Sequence, residues 1–134
     1  MRKIGIIGLG HIGRLLAHTL VTTDKADQLV LIDQDDEVAV GLKADLENAQ
    51  TALMSRTTIT IQDYAALKDA DLLITAFGDS QLLQEQQMAE LSRNGQTIDR
   101  IAPRVRQSGF SGIVFNISDP NEAITAYLQQ QLAL

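Results

Sequence analysis

Three glycines at fixed spacing carry the most chemical content in this chain: Gly8, Gly10 and Gly13, in the run Ile7-Gly8-Leu9-Gly10-His11-Ile12-Gly13. With this spacing a chain turns sharply and offers main-chain N–H groups to an anion. Gly8 permits the turn, Gly10 lets the backbone come close to the anion, and Gly13 lets the following helix pack against the preceding strand. A pyrophosphate placed there would meet unpaired N–H groups and the positive end of a helix dipole. The second residue of this kind is Asp33, which closes the apolar run Leu29-Val30-Leu31-Ile32 about 20 residues beyond the turn. A carboxylate at that strand end accepts hydrogen bonds from ribose hydroxyls and repels a 2′-phosphate, so the pattern reads as a dinucleotide site with NAD expected over NADP.

Other chemistry is sparse. The chain has no cysteine and two histidines, His11 and His18. Without cysteine there are no disulfides or thiolate metal sites, which fits a reducing compartment, and a cytoplasmic location is expected. His11 sits on the glycine turn and reads as a solvated or backbone-bonded residue at a helix start, with contact to a bound cofactor as the alternative. His18 lies off the apolar stripe of its helix and is expected at the surface. No catalytic residue and no metal-ligand set is expected. Arg100, Arg104 and Arg106 read as a solvated helix face.

The elements needed to position these residues are legible as alternating strands and helices. Ile4, Ile6 and Ile7 make a buried strand before the turn. Ile12, Leu15, Leu16, Thr19 and Leu20 repeat at helical spacing after it. Leu29 to Ile32 is the second strand. Asp35 or Asp36 can cap a helix whose stripe is Val38, Leu42, Leu46, Ala49 and Leu53. Arg56 to Ile61 predicts a third strand, Asp63 a cap for a short helix over Tyr64–Lys68, and Asp71 to Ala76 a fourth strand. Residues Asp79 to Gln96 are rich in glutamine and read as a loop or a poorly buried helix. Ile98, Ile101, Ala102 and Val105 mark a helix in which Pro103 is a kink or a first turn, with Gly109 ending it. Gly112 to Ile117 is a fifth strand, and a last helix opens at Ser118-Asp119-Pro120 with the stripe Ile124, Tyr127, Leu128 and Leu132. Strands apolar on both faces and alternating with helices predict an α/β fold, a doubly wound parallel sheet of Rossmann type with about five strands.

With these residues placed, the chain resembles the NAD-binding half of the L-lactate/malate dehydrogenase family, with the L-2-hydroxyisocaproate dehydrogenase-like branch nearest. The resemblance rests on Gly8 to Gly13, Leu31-Ile32-Asp33, Lys43-Ala44-Asp45-Leu46, Asp63-Tyr64, Asp69 to Ala76, Ser108-Gly109-Phe110 and Ser118-Asp119-Pro120. It implies that Gly8, Gly10, His11, Ile12 and Gly13 hold the pyrophosphate of NAD and Asp33 the adenosine ribose. It places Ala76, Phe77 and Gly78 beside the nicotinamide half. Two positions depart from the family. Gln87 stands where a substrate-polarising arginine is expected, and a glutamine cannot supply that positive charge. Asp119 replaces an asparagine that contacts substrate and nicotinamide ribose. Its plainer reading is a helix N-cap, with Pro120 at the first helical position and Glu122 reaching back.

The family's catalytic histidine and carboxylate-binding arginine belong to a second domain, so residues 1–134 read as a single NAD-binding domain without it. A small 2-hydroxy or 2-oxo acid is then a partner only when that domain is present. The net charge of −6 argues against nucleic-acid binding. No apolar stretch has the length of a membrane span. Gly5, Gly8 and Gly10 interrupt what would otherwise resemble a secretory leader. The fifth strand, Ile113 to Ile117, would be an apolar sheet edge, so either self-association as a homo-oligomer or an exposed edge is expected. The competing reading is a non-catalytic NAD-sensing domain, such as the modules that regulate potassium transport. A degenerate domain that binds no nucleotide is a third.

Overall fold

The structure is a computed structural model, and it describes residues 1–78 and 87–133, with backbone alone at Gln87. Five parallel strands form one sheet in the order β3-β2-β1-β4-β5. They are β1 (Lys3–Ile7), β2 (Gln28–Ile32), β3 (Thr58–Ile61), β4 (Leu72–Thr75) and β5 (Ile113–Asn116), and the helices are α1 (His11–Thr22), α2 (Asp36–Leu53), α3 (Gln87–Ser108) and α4 (Asn121–Leu132). A 3-10 turn, Tyr64–Leu67, precedes β4. The strand order reverses between β1 and β4, because the chain winds outward from β1 to β3 and then crosses back. Ligands of such sheets bind in the crevice beyond the strand ends at that reversal.

The period-two alternation of the strands builds two cores, one on each face. Leu29 and Leu31 of β2 join Ile6 and Ile74 beneath α1 and α2, with Ala17, Val21, Leu42 and Leu46. Val30 and Ile32 join Ile7 and Leu73 beneath α3 and α4, with Ile98, Ala102, Val105, Ile124 and Leu128. Fully burying one such aliphatic side chain stabilises the fold by about 1.5–3 kcal/mol.

Several elements differ from their sequence patterns, each for a local reason. In α1 the buried row is Gly13, Ala17 and Val21, and Ile12 and Leu15 are 50% and 57% exposed. Gly13 brings the helix close to the sheet, so its own row is the fully buried one, while Leu16 and Leu20 of the expected stripe pack against the same core and are partly buried. In α2 the buried row is Ala39, Leu42 and Leu46, and the expected Leu53 is exposed at its end. Asp35 rather than Asp36 is the cap, accepting from Glu37 N at 3.0 Å. Asp63 makes no side-chain cap bond, and the helix expected after it is the 3-10 turn alone.

α3 is one helix through Pro103 and already begins at Gln87, ahead of the predicted Ile98 start. The part of the glutamine-rich segment at residues 79–86, expected as a loop or a poorly buried helix, lies outside the described residues. Of the two readings of residues 79–96, a loop or a poorly buried helix, the helix holds from Gln87 onward, and its polar residues Arg93, Asn94 and Thr97 line a groove. The final helix starts at Asn121, later than predicted, and its stripe of Ile124, Leu128 and Leu132 is buried as expected. β5 is the sheet edge, and Ile113 and Phe115 on it are 70% and 57% exposed.

Candidate functional site

A groove of about 860 Å³ runs along the C-terminal ends of β1, β2 and β4, at the strand-order reversal. Its floor at the centre is the turn from β1 to α1. Gly8 there has φ +101°, a region open to glycine and strained for other residues. Gly8 N donates to Ile32 O at 2.8 Å, which ties the turn to β2. Gly13 is required by packing, because a Cβ on it would lie 1.9 Å from Gly8 O. Gly10 is different: it lines the groove, and a Cβ on it would meet no protein atom within 4 Å. The packing therefore does not explain a glycine at position 10, whereas close approach of a ligand does. Gly10 is also the N-cap of α1, which has no side-chain cap and no acidic residue in its first turn. Its first N–H groups thus suit an anion such as a pyrophosphate.

Asp33 stands one residue beyond β2 and lines the same groove, half-buried. Its Oδ1 accepts from Leu9 N at 2.8 Å, and its Oδ2 accepts from Asp35 N at 3.0 Å. One carboxylate therefore joins the glycine turn to the β2–α2 turn. Each of its oxygens keeps a lone pair for a further donor. The far wall at this end comes from α3. Arg100 Nη2 donates to Gln34 Oε1 at 3.1 Å, and the Arg104 guanidinium lies 4.2 Å from the centroid of the Tyr64 ring. Burial pushes the Tyr64 hydroxyl above its ordinary pKa, opposed by the charges of Arg104 and Arg100, so it stays protonated at neutral pH. These two arginines are exposed, yet they border the groove instead of forming the plain solvated face expected of them. Arg106 donates to Gln131 O, outside it.

At the other end, Ala76, Phe77 and Gly78 continue from β4 along the groove wall. Beside them, Asn94 of α3 is buried and donates through Nδ2 to Asp119 O at 2.6 Å. The Asp119–Pro120 peptide is cis, and Pro120, not Asp119, occupies the N-cap position of α4 without a side-chain cap bond. The capping reading of Asp119 is therefore corrected. Asn116 organises this corner instead: its Oδ1 accepts from Thr75 Oγ1 at 2.9 Å and from Ser118 N at 3.0 Å, and its Nδ2 donates to Thr125 Oγ1 at 3.0 Å. With Asn116 fixing the strand end, the first intrahelical bond of α4 runs from Ile124 N to Pro120 O at 3.0 Å, and the helix starts beyond Asp119.

Of the residues singled out from sequence, Gly8, Gly10, Asp33, Ala76, Phe77 and Gly78 thus share one groove. His11, Ile12 and Gly13 belong to the adjoining first turn of α1 and are not among its lining residues. Asp119 is one hydrogen bond removed, through Asn94. His11 is exposed and His18 half-buried, the latter less open than its helix position predicted. The side chain of Gln87 is outside the described residues. Among the described residues, no group of three or more His, Cys, Asp or Glu could hold a metal ion. Sequence reasoning missed Gln62, Asn94 and Asn116. The amides of Gln62 and Asn94 act on backbone distant in sequence, and that of Asn116 joins the distant Thr75 hydroxyl to the turn that follows it, contacts that no spacing rule marks.

A parallel, doubly wound sheet with a glycine-turn groove and a ribose-type acid at the end of β2 defines a dinucleotide-binding Rossmann domain. A family model described as lactate/malate dehydrogenase, NAD binding domain, matches residues 2–133. The chain belongs to this family, and it is an NAD-binding domain of the lactate/malate dehydrogenase type. It is 34% identical over 132 residues to an L-lactate dehydrogenase of Mycoplasmopsis pulmonis, a match covering 97% of this chain and 42% of that protein. Among solved structures, the minor L-lactate dehydrogenase of Enterococcus mundtii superposes with TM-score 0.89 at 28% identity, over 99% of this chain and 42% of that one. Malate dehydrogenase of Cryptosporidium parvum does so with TM-score 0.87 at 26% identity, over 99% and 43%. The chain thus spans less than half the length of these relatives. The family match favours the dehydrogenase reading over a sensor of the potassium-transport type. No helix among the described residues is long and apolar enough to cross a membrane.

Proposed function

We propose that residues 1–134 form one domain that is the cofactor half of an L-2-hydroxyacid dehydrogenase. It holds NAD(H) so that a hydride passes between the nicotinamide and a small 2-hydroxy or 2-oxo acid. In this reading Gly8, Gly10, His11, Ile12 and Gly13 seat the pyrophosphate, Asp33 takes the adenosine ribose, and Ala76, Phe77, Gly78 and Asp119 border the nicotinamide half. The observation that carries the reading is the 2.8 Å bond from Leu9 N to Asp33 Oδ1, which fixes the phosphate turn and the ribose acid at one spacing. NAD supplies the hydride chemistry when bound, and this chain supplies affinity and orientation.

The matched relatives are L-lactate dehydrogenases, so pyruvate and lactate are the first pair to test. The branched 2-oxo acids of the 2-hydroxyisocaproate-like branch come second. The cysteine-free composition supports a cytoplasmic setting. The exposed β5 edge supports self-association.

Removing a hydroxyl proton needs a base within hydrogen-bond reach of the substrate, tuned near the working pH. The two histidines do not meet that need: His11 lies in the first turn of α1, at the phosphate side, and His18 lies further along the same helix. The 134-residue chain is therefore expected to bind NADH without oxidising it, since a missing positioned acid/base costs about 10²–10⁴-fold in rate. The assay is NADH absorbance at saturating cofactor with pyruvate, oxaloacetate and branched 2-oxo acids. Oxidation that tracks the purified chain above a protein-free blank would contradict this assignment of roles.

A further inference from the structure

Gln62, the residue after β3, has φ +57°, in the left-handed region that non-glycine residues seldom occupy. Its main-chain N–H still extends the sheet, donating to Leu31 O at 2.8 Å. Its carboxamide then makes three further hydrogen bonds. Oε1 accepts from Asp33 N at 2.8 Å, and Nε2 donates to Asp33 O at 2.7 Å and to Asp36 Oδ1 at 2.6 Å. The orientation of the amide is fixed by its partners, because a main-chain N–H must meet the oxygen and a carbonyl and a carboxylate must meet the nitrogen.

Asp33 lies just past β2, where the β2–β3 ladder has ended and its own N–H and C=O need new partners. One side chain supplies both. Gln62 therefore acts as one more rung of the sheet, built from an amide side chain, and it closes on the residue whose carboxylate faces the groove. The bond to Asp36 extends the hold to the first turn of α2 and leaves Asp35 as the cap. Gln62 itself lines the groove beside Asp33.

We propose that Gln62 is the positioning residue for cofactor discrimination: its carboxamide clamps the Asp33 main chain so that the carboxylate accepts the adenosine ribose hydroxyls and opposes a 2′-phosphate. The inference rests on the reading of the groove as an NAD site. It adds a residue outside the glycine turn and the ribose acid, and it assigns a use to the left-handed backbone at the end of β3.

Gln62→Gly tests it, because glycine takes the same backbone conformation without strain while the carboxamide is removed. Asparagine also tolerates that conformation and is one methylene shorter, so Gln62→Asn keeps the amide but cannot span the same three partners. In both variants the Kd for NAD is expected to rise about 3- to 10-fold, the scale of one lost intramolecular hydrogen bond. The Kd for NADP should change less, so that the ratio between the two cofactors narrows. Hydrogen exchange of the Asp33 amide should quicken in the absence of any cofactor. In an Asp33→Ala background, Gln62→Gly should have no further effect on NAD binding, which a merely structural role would not produce. Unchanged NAD affinity and cofactor ratio in Gln62→Gly, or an equal effect in the Asp33→Ala background, would overturn the inference. Failure of the parent chain to bind NAD at all would instead overturn the cofactor reading, and the Asp33 amide exchange would still report on the clamp.

Discussion

A methyl group added at Gly13 would sit 1.9 Å from the Gly8 carbonyl oxygen, whereas one added at Gly10 would meet no protein atom within 4 Å. Alanine at the two positions therefore separates folding from binding. Gly13→Ala is expected to destabilise the chain by at least about 1–3 kcal/mol, the usual cost of forcing atoms into a packed site, read as a lower urea midpoint. Gly10→Ala should keep the parent midpoint and lose NAD affinity, since its methyl would stand in the groove at the proposed phosphate contact. A Gly10→Ala variant that binds NAD like the parent would remove the phosphate turn from the site. Asp33→Ala should cut NAD affinity by about 10- to 100-fold, as expected for charge-assisted hydrogen bonds worth about 1.5–3 kcal/mol. It should affect NADP less. Calorimetric titration of both cofactors checks this. At this scale the glycines and Asp33 were readable because a fixed spacing defines them. Gln62 and Asn116 were not, because their amides hold main chain through positive-φ and strand-end geometry that residue types do not announce.

At the scale of the elements, sheet strands were legible because runs apolar on both faces occur in buried parallel sheets and seldom elsewhere. Helix faces were less so. Of the expected α1 stripe, Ile12 and Leu15 are exposed and Leu16 and Leu20 pack against the core, because the close approach at Gly13 turns the row of Gly13, Ala17 and Val21 onto the sheet. The polar start of α3 left loop and poorly buried helix both open for the complementary reason: its polar side borders the groove.

The strand entries carry two ion pairs, Arg2–Asp27 at 3.2 Å, exposed on both sides, and Lys3–Asp69 at 2.5 Å, in which the lysine side chain is largely buried; they tie the start of β1 to the approaches of β2 and β4. Hydrogen bonding from Arg2 holds the Asp27 carboxyl below its ordinary pKa, and hydrogen bonding from Lys3 does the same for Asp69. A carboxylate with a depressed folded-state pKa stabilises the fold above its unfolded pKa, about 3.9. That contribution is lost as the pH falls through the folded value. Urea midpoints should therefore hold near neutral pH and decline below about pH 4. Asp69→Asn should show a shallower decline than the parent. An identical acid response in parent and variant would show that the Lys3 pair contributes nothing to it.

For the molecule as a whole, the sheet ends on β5, a parallel edge strand with Ile113 and Phe115 exposed on one face. Such an edge offers unpaired N–H and C=O groups beside apolar side chains and invites pairing with another strand. The mass of the 134-residue chain in solution is expected to rise with concentration, by light scattering or sedimentation. Ile113→Lys with Phe115→Lys should hold it at the monomer, because edge lysines oppose pairing. A parent that remains monomeric throughout would mean that the edge is not a self-association surface.

One groove, built by the glycine turn and Asp33, is proposed to select NAD over NADP. The direct measurement is calorimetric titration of the 134-residue chain with NAD and, separately, with NADP under the same salt. Saturable one-site binding of NAD is expected, with NADP weaker by at least about tenfold, the equivalent of about 1.4 kcal/mol. Equal affinity for the two cofactors, or no binding of either, would contradict it.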